Sequence, residues 1–139
     1  MLTYVLDTSA WIAHIQQEPG WETISSLLRG EEEQVGISAL SLIELFGRLR
    51  AFGQEAAFEQ ILEDYRDLLT QIVPVDEAIG LQAIALRRSA AARLPAIDAM
   101  IAATAALQGA VLVHRDAHFS AIPADQVRQI YLAGPDSIP

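Results

Sequence analysis

The chain has no cysteine and no lysine. Without cysteine it can have no disulfide framework, no thiolate zinc site and no cysteine nucleophile. Because all nine basic residues are arginines, a P-loop lysine, a Schiff-base lysine and a lysine general base are excluded as well. Any chemistry must therefore rest on other side chains.

Long apolar runs and a basic N-terminal segment are also missing. Met1–Tyr4 leads directly into a short apolar run, and no unbroken apolar stretch reaches membrane-spanning length. We therefore expect a soluble, cytoplasmic protein. A length of 139 residues fits a single domain over residues 1–139, with a core over about residues 2–132 and a short C-terminal tail.

Positive charge is scarce, because eighteen acidic residues stand against nine basic ones and the net charge is −9. A chain this acidic should repel nucleic acid at long range and bind it weakly without specificity. The apolar content of 52% nevertheless excludes a disordered chain.

Short apolar runs alternate along the chain with segments of helical periodicity. The predicted strands lie at residues 4–6, 34–37, 72–75, 110–113 and 129–132. Pro74 favours an edge position or a strand end for the third of them. Because the strands are apolar on both faces and alternate with helices, we predict a parallel sheet with helices on each side.

The predicted helices begin and end at recognisable residues. Ser9, Ser38 and Asp76 are predicted N-caps, and Pro95 is predicted to begin the helix that Gly109 ends. The clearest periodicity predicts one helix over residues 58–72, and a shorter helix is predicted over residues 21–29. In the helix after Asp76, residues 81, 84 and 85 are predicted to face inward.

Two acidic residues follow predicted strands. Asp7 comes directly after the first strand, and Asp116 follows the fourth. In open α/β sheets, ligands bind in the crevice beyond the carboxyl ends of the strands. If the two strands are neighbours, both acids lie at that crevice, although each is also a plausible turn or cap residue.

Asp98 is the only charge in an otherwise apolar helix, and a helix apolar all round is a buried helix. Because burying an unpaired carboxylate costs several kcal/mol, Asp98 should have a partner. That partner is an arginine such as Arg93, the helix N-terminus, or a metal ion. Glu44 has a simpler alternative, a surface ion pair with Arg48 one helical turn away.

Together these four acids predict an oxygen-ligand site for a hard cation, with Mg²⁺ or Mn²⁺ as the natural occupant. The histidines at positions 14, 114 and 118 form no metal-ligand pattern, although His118 lies near the predicted site.

Four segments that carry these acids resemble, in order, the four acidic blocks of the PIN domain family. They are VLDTS (5–9), SLIEL (41–45), LPAIDAMIAATA (94–105) and LVHRDAHF (112–119). Each block alone is weakly specific, but four in the expected order form a strong signal. The resemblance runs from about Leu2 to Leu132, and a single-domain chain of this size looks most like the VapC toxins of bacterial toxin–antitoxin pairs.

The resemblance implies a three-layer α/β/α fold around a mostly parallel sheet. It also implies a Mg²⁺- or Mn²⁺-dependent endoribonuclease that leaves 5′-phosphate and 3′-hydroxyl ends, a cognate basic antitoxin, and a homodimer. Asp7, Glu44, Asp98 and Asp116 fall on the family's four acidic positions and are expected to be catalytic residues and metal ligands. For the reaction that the resemblance implies, two bound ions could activate a water and stabilise the leaving oxygen of the phosphodiester. Arg48, Arg93 and Arg115 are then candidates for binding the substrate's phosphates. His114 departs from the family, which usually has a small hydroxyl residue there.

The sequence argues against two other functions and leaves two alternatives. A phospho-accepting receiver domain needs a lysine, and a haloacid-dehalogenase-type phosphatase needs an aspartate where this chain has Ser9. Stronger alternatives are a non-catalytic PIN-like module that binds protein, and an RNA-processing PIN nuclease outside any toxin–antitoxin pair.

Overall fold

The computed structural model describes residues 1–132. Those residues form five strands and six α-helices, with two α-helices after each of the first three strands. The strands are β1 (Tyr4–Leu6), β2 (Val35–Ser38), β3 (Gln71–Val73), β4 (Val111–His114) and β5 (Gln129–Tyr131). The helices are α1 (Thr8–Gln16), α2 (Trp21–Arg29), α3 (Leu40–Ala51), α4 (Phe58–Arg66), α5 (Glu77–Ser89) and α6 (Ala96–Gln108). The short C-terminal tail predicted after residue 132 lies outside the described residues.

All strand pairs are parallel, and the order across the sheet is β3-β2-β1-β4-β5. In the central strand, Leu6 is in register with Ile37 of β2 and Val113 of β4. β3 is an edge strand, as the proline that follows it predicts. The predicted parallel sheet is confirmed.

Helices cover both faces of the sheet, which makes three layers. Along β1, Val5 packs into the cluster with residues of α5 and α6, whereas Leu6 packs into the cluster with residues of α1 to α4. Leu112 and Val113 of β4 divide in the same way. This alternation follows from the two-residue period of a strand, and it confirms the predicted α/β/α architecture.

Two predicted helices differ from the structure. The helix predicted over residues 58–72 overlaps at Ile72 with the strand predicted over residues 72–75. In the structure the helix ends at Arg66, Thr70 donates its backbone N–H to Val35, and Ile72 pairs with Ile37 in the sheet as the strand prediction requires. In α5 the predicted inward face is wrong. Leu81 and Ile84 are exposed, and Ile79 is among the residues that face the core.

The caps are partly as predicted. Asp76 accepts a hydrogen bond from the backbone of Ile79, and Gly109 adopts the left-handed conformation that ends α6. α1 instead begins one residue before the predicted cap, with Asp7 as its N-cap. Ser38 belongs to β2, and its hydroxyl accepts the N–H of Leu40.

None of the helices within residues 1–132 is both long enough and apolar enough to span a membrane.

Candidate metal centre

The strand order places a crevice at the carboxyl edge of the sheet. The chain runs outward from β1 through β2 to β3 and then returns to the other side of β1 with β4, so the order reverses between β1 and β4. Ligands of open α/β sheets bind outside the strand ends at such a switch point. A cavity of about 350 Å³ lies there, and Asp7, Glu44, Asp98 and Asp116 all line it. The structure thus brings all four predicted acids to one cavity.

Asp7 is held in place between the two central strands. Its backbone N–H donates to Val113 at 2.9 Å, and its side chain caps α1. The Oδ2 atom accepts hydrogen bonds from the backbone N–H of Ser9 at 3.0 Å and from the Ser9 hydroxyl at 2.6 Å. These bonds leave Oδ1 without a hydrogen-bond donor among residues 1–132.

Burial dominates the electrostatics of Asp7, whose residue is only 3% exposed. Desolvation by burial raises the pKa of Asp7 from 3.8 to about 7, against the lowering effect of the two Ser9 hydrogen bonds. The nearby carboxylates of Asp98 and Glu44 raise it further. The hydrogen bonds from Ser9 therefore offset only part of the cost of burying the negative charge of Asp7.

Asp98 lies in the first turn of α6, with a side chain that is 14% exposed. Burial raises its pKa from 3.8 to about 6, followed by the effects of Asp116 and Glu44, while His118 lowers it. Within residues 1–132, the one basic side chain closer than 4.0 Å to its carboxylate is that of His118. Arg93, the arginine considered as a partner, is exposed and forms no ion pair with it in that part of the chain.

Glu44 faces the cavity from α3, one helical turn after that helix begins. Its Oε1 accepts a hydrogen bond from the hydroxyl of Thr8, which also lies 2.8 Å from the buried hydroxyl of Ser41. The alternative ion pair with Arg48 does not form, since Arg48 lies beside Glu18 instead. Sequence reasoning assigned Thr8 no role, although it directly follows Asp7 within the VLDTS segment.

His118 lies against Asp98 and Asp116, and the three residues form a group that could hold a metal ion. One potential ligand atom from each of the three residues lies within 4.8 Å of the other two. His118 Nδ1 is 2.9 Å from Asp116 Oδ1 and 3.5 Å from Asp98 Oδ2. The two-residue spacing from Asp116 to His118 was the signal in the sequence, and it is convincing only once Asp98 lies beside it.

His114 is buried at the end of β4 and is hydrogen-bonded to the backbone of Asp116. It is 2% exposed, and its Nδ1 accepts the backbone N–H of Asp116 at 3.2 Å. The ring hydrogen is then on Nε2, which donates to the side chain of Gln129 at 2.9 Å. Burial lowers the pKa of His114, in keeping with a neutral ring. The residue that departs from the family pattern thus positions the loop that carries Asp116.

The three arginines proposed for phosphate binding differ in position. Arg48 lines the cavity. Arg115 donates from Nη1 to Glu18 at 2.9 Å, and Arg48 Nη2 lies 3.8 Å from the same carboxylate. Arg93 is exposed in the loop between α5 and α6 and is not among the residues that line the cavity.

The residues at this cavity fit a divalent cation. Carboxylate oxygens are the donors that Mg²⁺ and Mn²⁺ prefer, and four acidic side chains converge here. Two of these acids have pKa values raised by burial and by their acidic neighbours, and a cation would relieve both effects.

Comparison with known proteins agrees with this geometry. Residues 4–125 match the PIN domain family. The fold is similar to VapBC2 of Rickettsia felis bound to a promoter DNA fragment, with 20% identity, a TM-score of 0.78, and coverage of 95% of this chain and 100% of that one. It is also similar to DNA-bound VapBC of Salmonella typhimurium, with 24% identity, a TM-score of 0.76, and coverage of 96% of this chain and 100% of that one.

VapBC-5 of Mycobacterium tuberculosis is similar at 26% identity and a TM-score of 0.66, over 94% of this chain and 99% of that one. No curated protein is similar enough in sequence to count as a relative. The family match over most of the chain, on the fold that these structures share, shows that the chain belongs to the PIN domain family.

Proposed function

We propose that this protein is a metal-dependent endoribonuclease and the toxin of a toxin–antitoxin pair. It would hydrolyse RNA phosphodiester bonds to 5′-phosphate and 3′-hydroxyl ends with Mg²⁺ or Mn²⁺ as cofactor. The observation that carries the proposal is the convergence of Asp7, Glu44, Asp98 and Asp116 on one cavity at the switch point of the sheet. Membership of the PIN domain family supports it.

The four acidic residues would hold the metal. A divalent ion there supplies a water of lowered pKa and shields the negative charge of the phosphate. Asp7 Oδ1 is available for this purpose because Ser9 occupies only Oδ2. Glu44 is held by the Thr8 hydroxyl, which keeps its carboxylate at the cavity.

Arginines beside the cavity would bind the RNA backbone. Arg48 lines the cavity, and Arg115 is held nearby by Glu18 at 2.9 Å. Guanidinium groups make paired hydrogen bonds to phosphate oxygens, which orients the backbone as well as attracting it. The net charge of −9 is compatible with this role, because local cations at the site and not the bulk charge would contact the substrate.

The same proposal includes partners and location. A basic antitoxin would suit the acidic surface of this chain, and the similar structures include a toxin–antitoxin complex from Klebsiella pneumoniae. We further propose a homodimer in the cytoplasm. A neighbouring gene that encodes a small basic protein would support the toxin assignment.

Incubation of the purified protein with mixed RNAs, in EDTA, in Mg²⁺ and in Mn²⁺, tests the nuclease function. We expect cleavage with a divalent ion only, with 5′-phosphate ends that a phosphate-dependent exonuclease degrades. Asp98→Asn should abolish cleavage, and Asp125→Asn, a matched change at an exposed acid outside the cavity, should retain it. An inactive but folded wild type would favour a non-catalytic binding module. Equal activity in the Asp98→Asn variant would show that the cleavage comes from a contaminant.

A further inference from the structure

The imidazole of His118 lies against the two acids on the β4 side of the cavity. Its Nδ1 atom is 2.9 Å from Asp116 Oδ1 and 3.5 Å from Asp98 Oδ2. The backbone N–H of His118 also donates to Asp116 Oδ1 at 2.9 Å, so the loop after β4 holds the ring close to the acids. The rest of the ring is open to solvent, since 53% of the side chain is exposed.

These separations are those of neighbouring ligands around one ion. Two ligands at about 2.1 Å from a cation, at right angles to each other, lie about 3.0 Å apart. The nitrogen of His118 and one oxygen each from Asp98 and Asp116 all lie within 4.8 Å of one another. Small side-chain rotations would therefore bring all three atoms to one ion.

Neither of the other two histidines can take this place. Both ring nitrogens of His114 are used, by the backbone of Asp116 and the side chain of Gln129. His14 is hydrogen-bonded to the hydroxyl of Tyr65 and packs against Trp21. Among residues 1–132, His118 is thus the one histidine whose ring nitrogen lies beside Asp98 and Asp116.

We propose that His118 Nδ1 is a metal ligand together with Asp98 and Asp116, and that this nitrogen donor makes the site prefer Mn²⁺ over Mg²⁺. Both ions prefer carboxylate oxygens, but Mn²⁺ accepts an imidazole nitrogen more readily than Mg²⁺ does, because Mg²⁺ demands a strict octahedral shell of oxygens and Mn²⁺ is a transition ion. The inference rests on the proposed function because both require a divalent ion at this site. It goes further by assigning a mixed nitrogen and oxygen ligand set.

Titration calorimetry of the RNA-free protein tests the preference. Wild type, His118→Ala and His118→Asn are each titrated with Mn²⁺ alone and with Mg²⁺ alone. The asparagine can still donate a hydrogen bond to Asp116 but offers no nitrogen lone pair, so it separates ligation from positioning of the loop. We expect both variants to bind Mn²⁺ at least about 10-fold more weakly, and Mg²⁺ less than about 3-fold more weakly. Equal losses for the two ions would overturn the proposal.

Electron spin echo spectroscopy of the Mn²⁺-loaded protein provides a direct readout. The wild type should show the ¹⁴N coupling of a bound imidazole, and both His118 variants should lack it. Asp125→Asn, an exposed acid outside the cavity, is the control that should keep the coupling. Mn²⁺ bound to the wild type without ¹⁴N coupling would refute the proposal.

The two proposals fail in different ways. A protein that cleaves RNA with either ion but shows no ¹⁴N coupling would keep the nuclease function and lose the His118 ligand. A protein that binds Mn²⁺ through His118 but cleaves no RNA would keep the ligand and lose the nuclease function.

Discussion

Two strands of the sheet end in the same local arrangement, an aspartate that caps the following helix. After β1, Asp7 accepts the N–H of Ser9; after β3, Asp76 accepts the N–H of Ile79. Asp7 is 3% exposed and lines the acidic cavity, whereas Asp76 is exposed to solvent. The two residues share the role of helix cap and differ in burial and in their position relative to the cavity.

The position of each strand in the sheet explains the difference. β1 is central, so the elements that follow β2 and β4 bring Glu44 and Asp116 to its carboxyl end, and α6 adds Asp98. β3 is at the edge and has a neighbour on one side only. A strand followed by a capping aspartate is therefore a site only where other elements converge on it.

The largest expected effect comes from making the same substitution at both strand ends. Asp7→Asn should lower RNA cleavage at least about 10²-fold, because a ligand to the proposed ion is worth several kcal/mol in the transition state. Asp76→Asn should leave cleavage unchanged, since asparagine caps a helix as well as aspartate does. Initial rates in Mn²⁺ measure both. Similar losses at the two positions would contradict the comparison.

The stability of Asp7→Asn should depend on pH. Because burial raises the pKa of Asp7 from 3.8 to about 7, its contribution to stability is fully present below about pH 4 and is lost as the pH rises through about 7. Asparagine carries no charge to bury. In EDTA we therefore expect the variant to melt about 3–8 °C above wild type at about pH 8, with a smaller gain at about pH 5.

Thermal melts at both pH values, with and without Mn²⁺, measure this effect. Mn²⁺ should raise the melting temperature of wild type at about pH 8 and that of the variant much less. Asp76→Asn is the control and should melt like wild type under all conditions. A gain in the Asp7 variant that is independent of pH would show that burial of charge is not its cause.

The next largest effect should be a difference in KM between substitution of an arginine at the cavity and substitution of one outside it. Arg48→Ala should raise the KM for RNA about 10-fold with little change in kcat, because a charged hydrogen bond to phosphate is worth roughly 1.5 kcal/mol. Arg93→Ala removes the same charge from a loop outside the cavity lining and should change KM less than about 2-fold. Steady-state kinetics at two salt concentrations decide between them. Equal rises in KM would mean that only overall charge matters.

The smallest effect concerns the cap that has no other role. Asp76→Ala removes the acceptor for the N–H of Ile79 and should cost about 1 kcal/mol, or about 3–5 °C in melting temperature. RNA cleavage below the melting range should stay at the wild-type rate. A loss of activity in this folded variant would place α5 in the function and weaken the comparison.

Most of the layered fold could be predicted, because periodicity and caps are local. The misses lie where tertiary contacts override a local pattern. The helical spacing continues through Ile72, but the helix ends at Arg66, and Ile72 pairs with Ile37 as the overlapping strand prediction required. The apolar residues Leu81 and Ile84 of α5 suggested a buried face, but the helix turns other residues to the core.

The candidate site was also predictable only in part, because its local features show in the sequence and its contacts between distant residues do not. Asp7, Asp98 and Asp116 stood out locally, as charges after a buried strand or within an apolar helix. Whether Glu44 paired with Arg48 could not be read from their spacing, because Glu18 from another element competes for that arginine. His118 was visible only as a neighbour of Asp116 until the fold brought Asp98 to the same place.

The sequence by itself determined the strands that begin the βα units, the apolar α6 with its single acid, and the residue types that suit a hard cation. These are properties of neighbouring residues, and the periods of strand and helix express them directly. Only the tertiary structure decided that β1 lies between β2 and β4, and hence that Asp7 is buried among other acids while Asp76 is not. Burial and charge proximity depend on distances through space, which residues far apart in the chain acquire only when the sheet assembles.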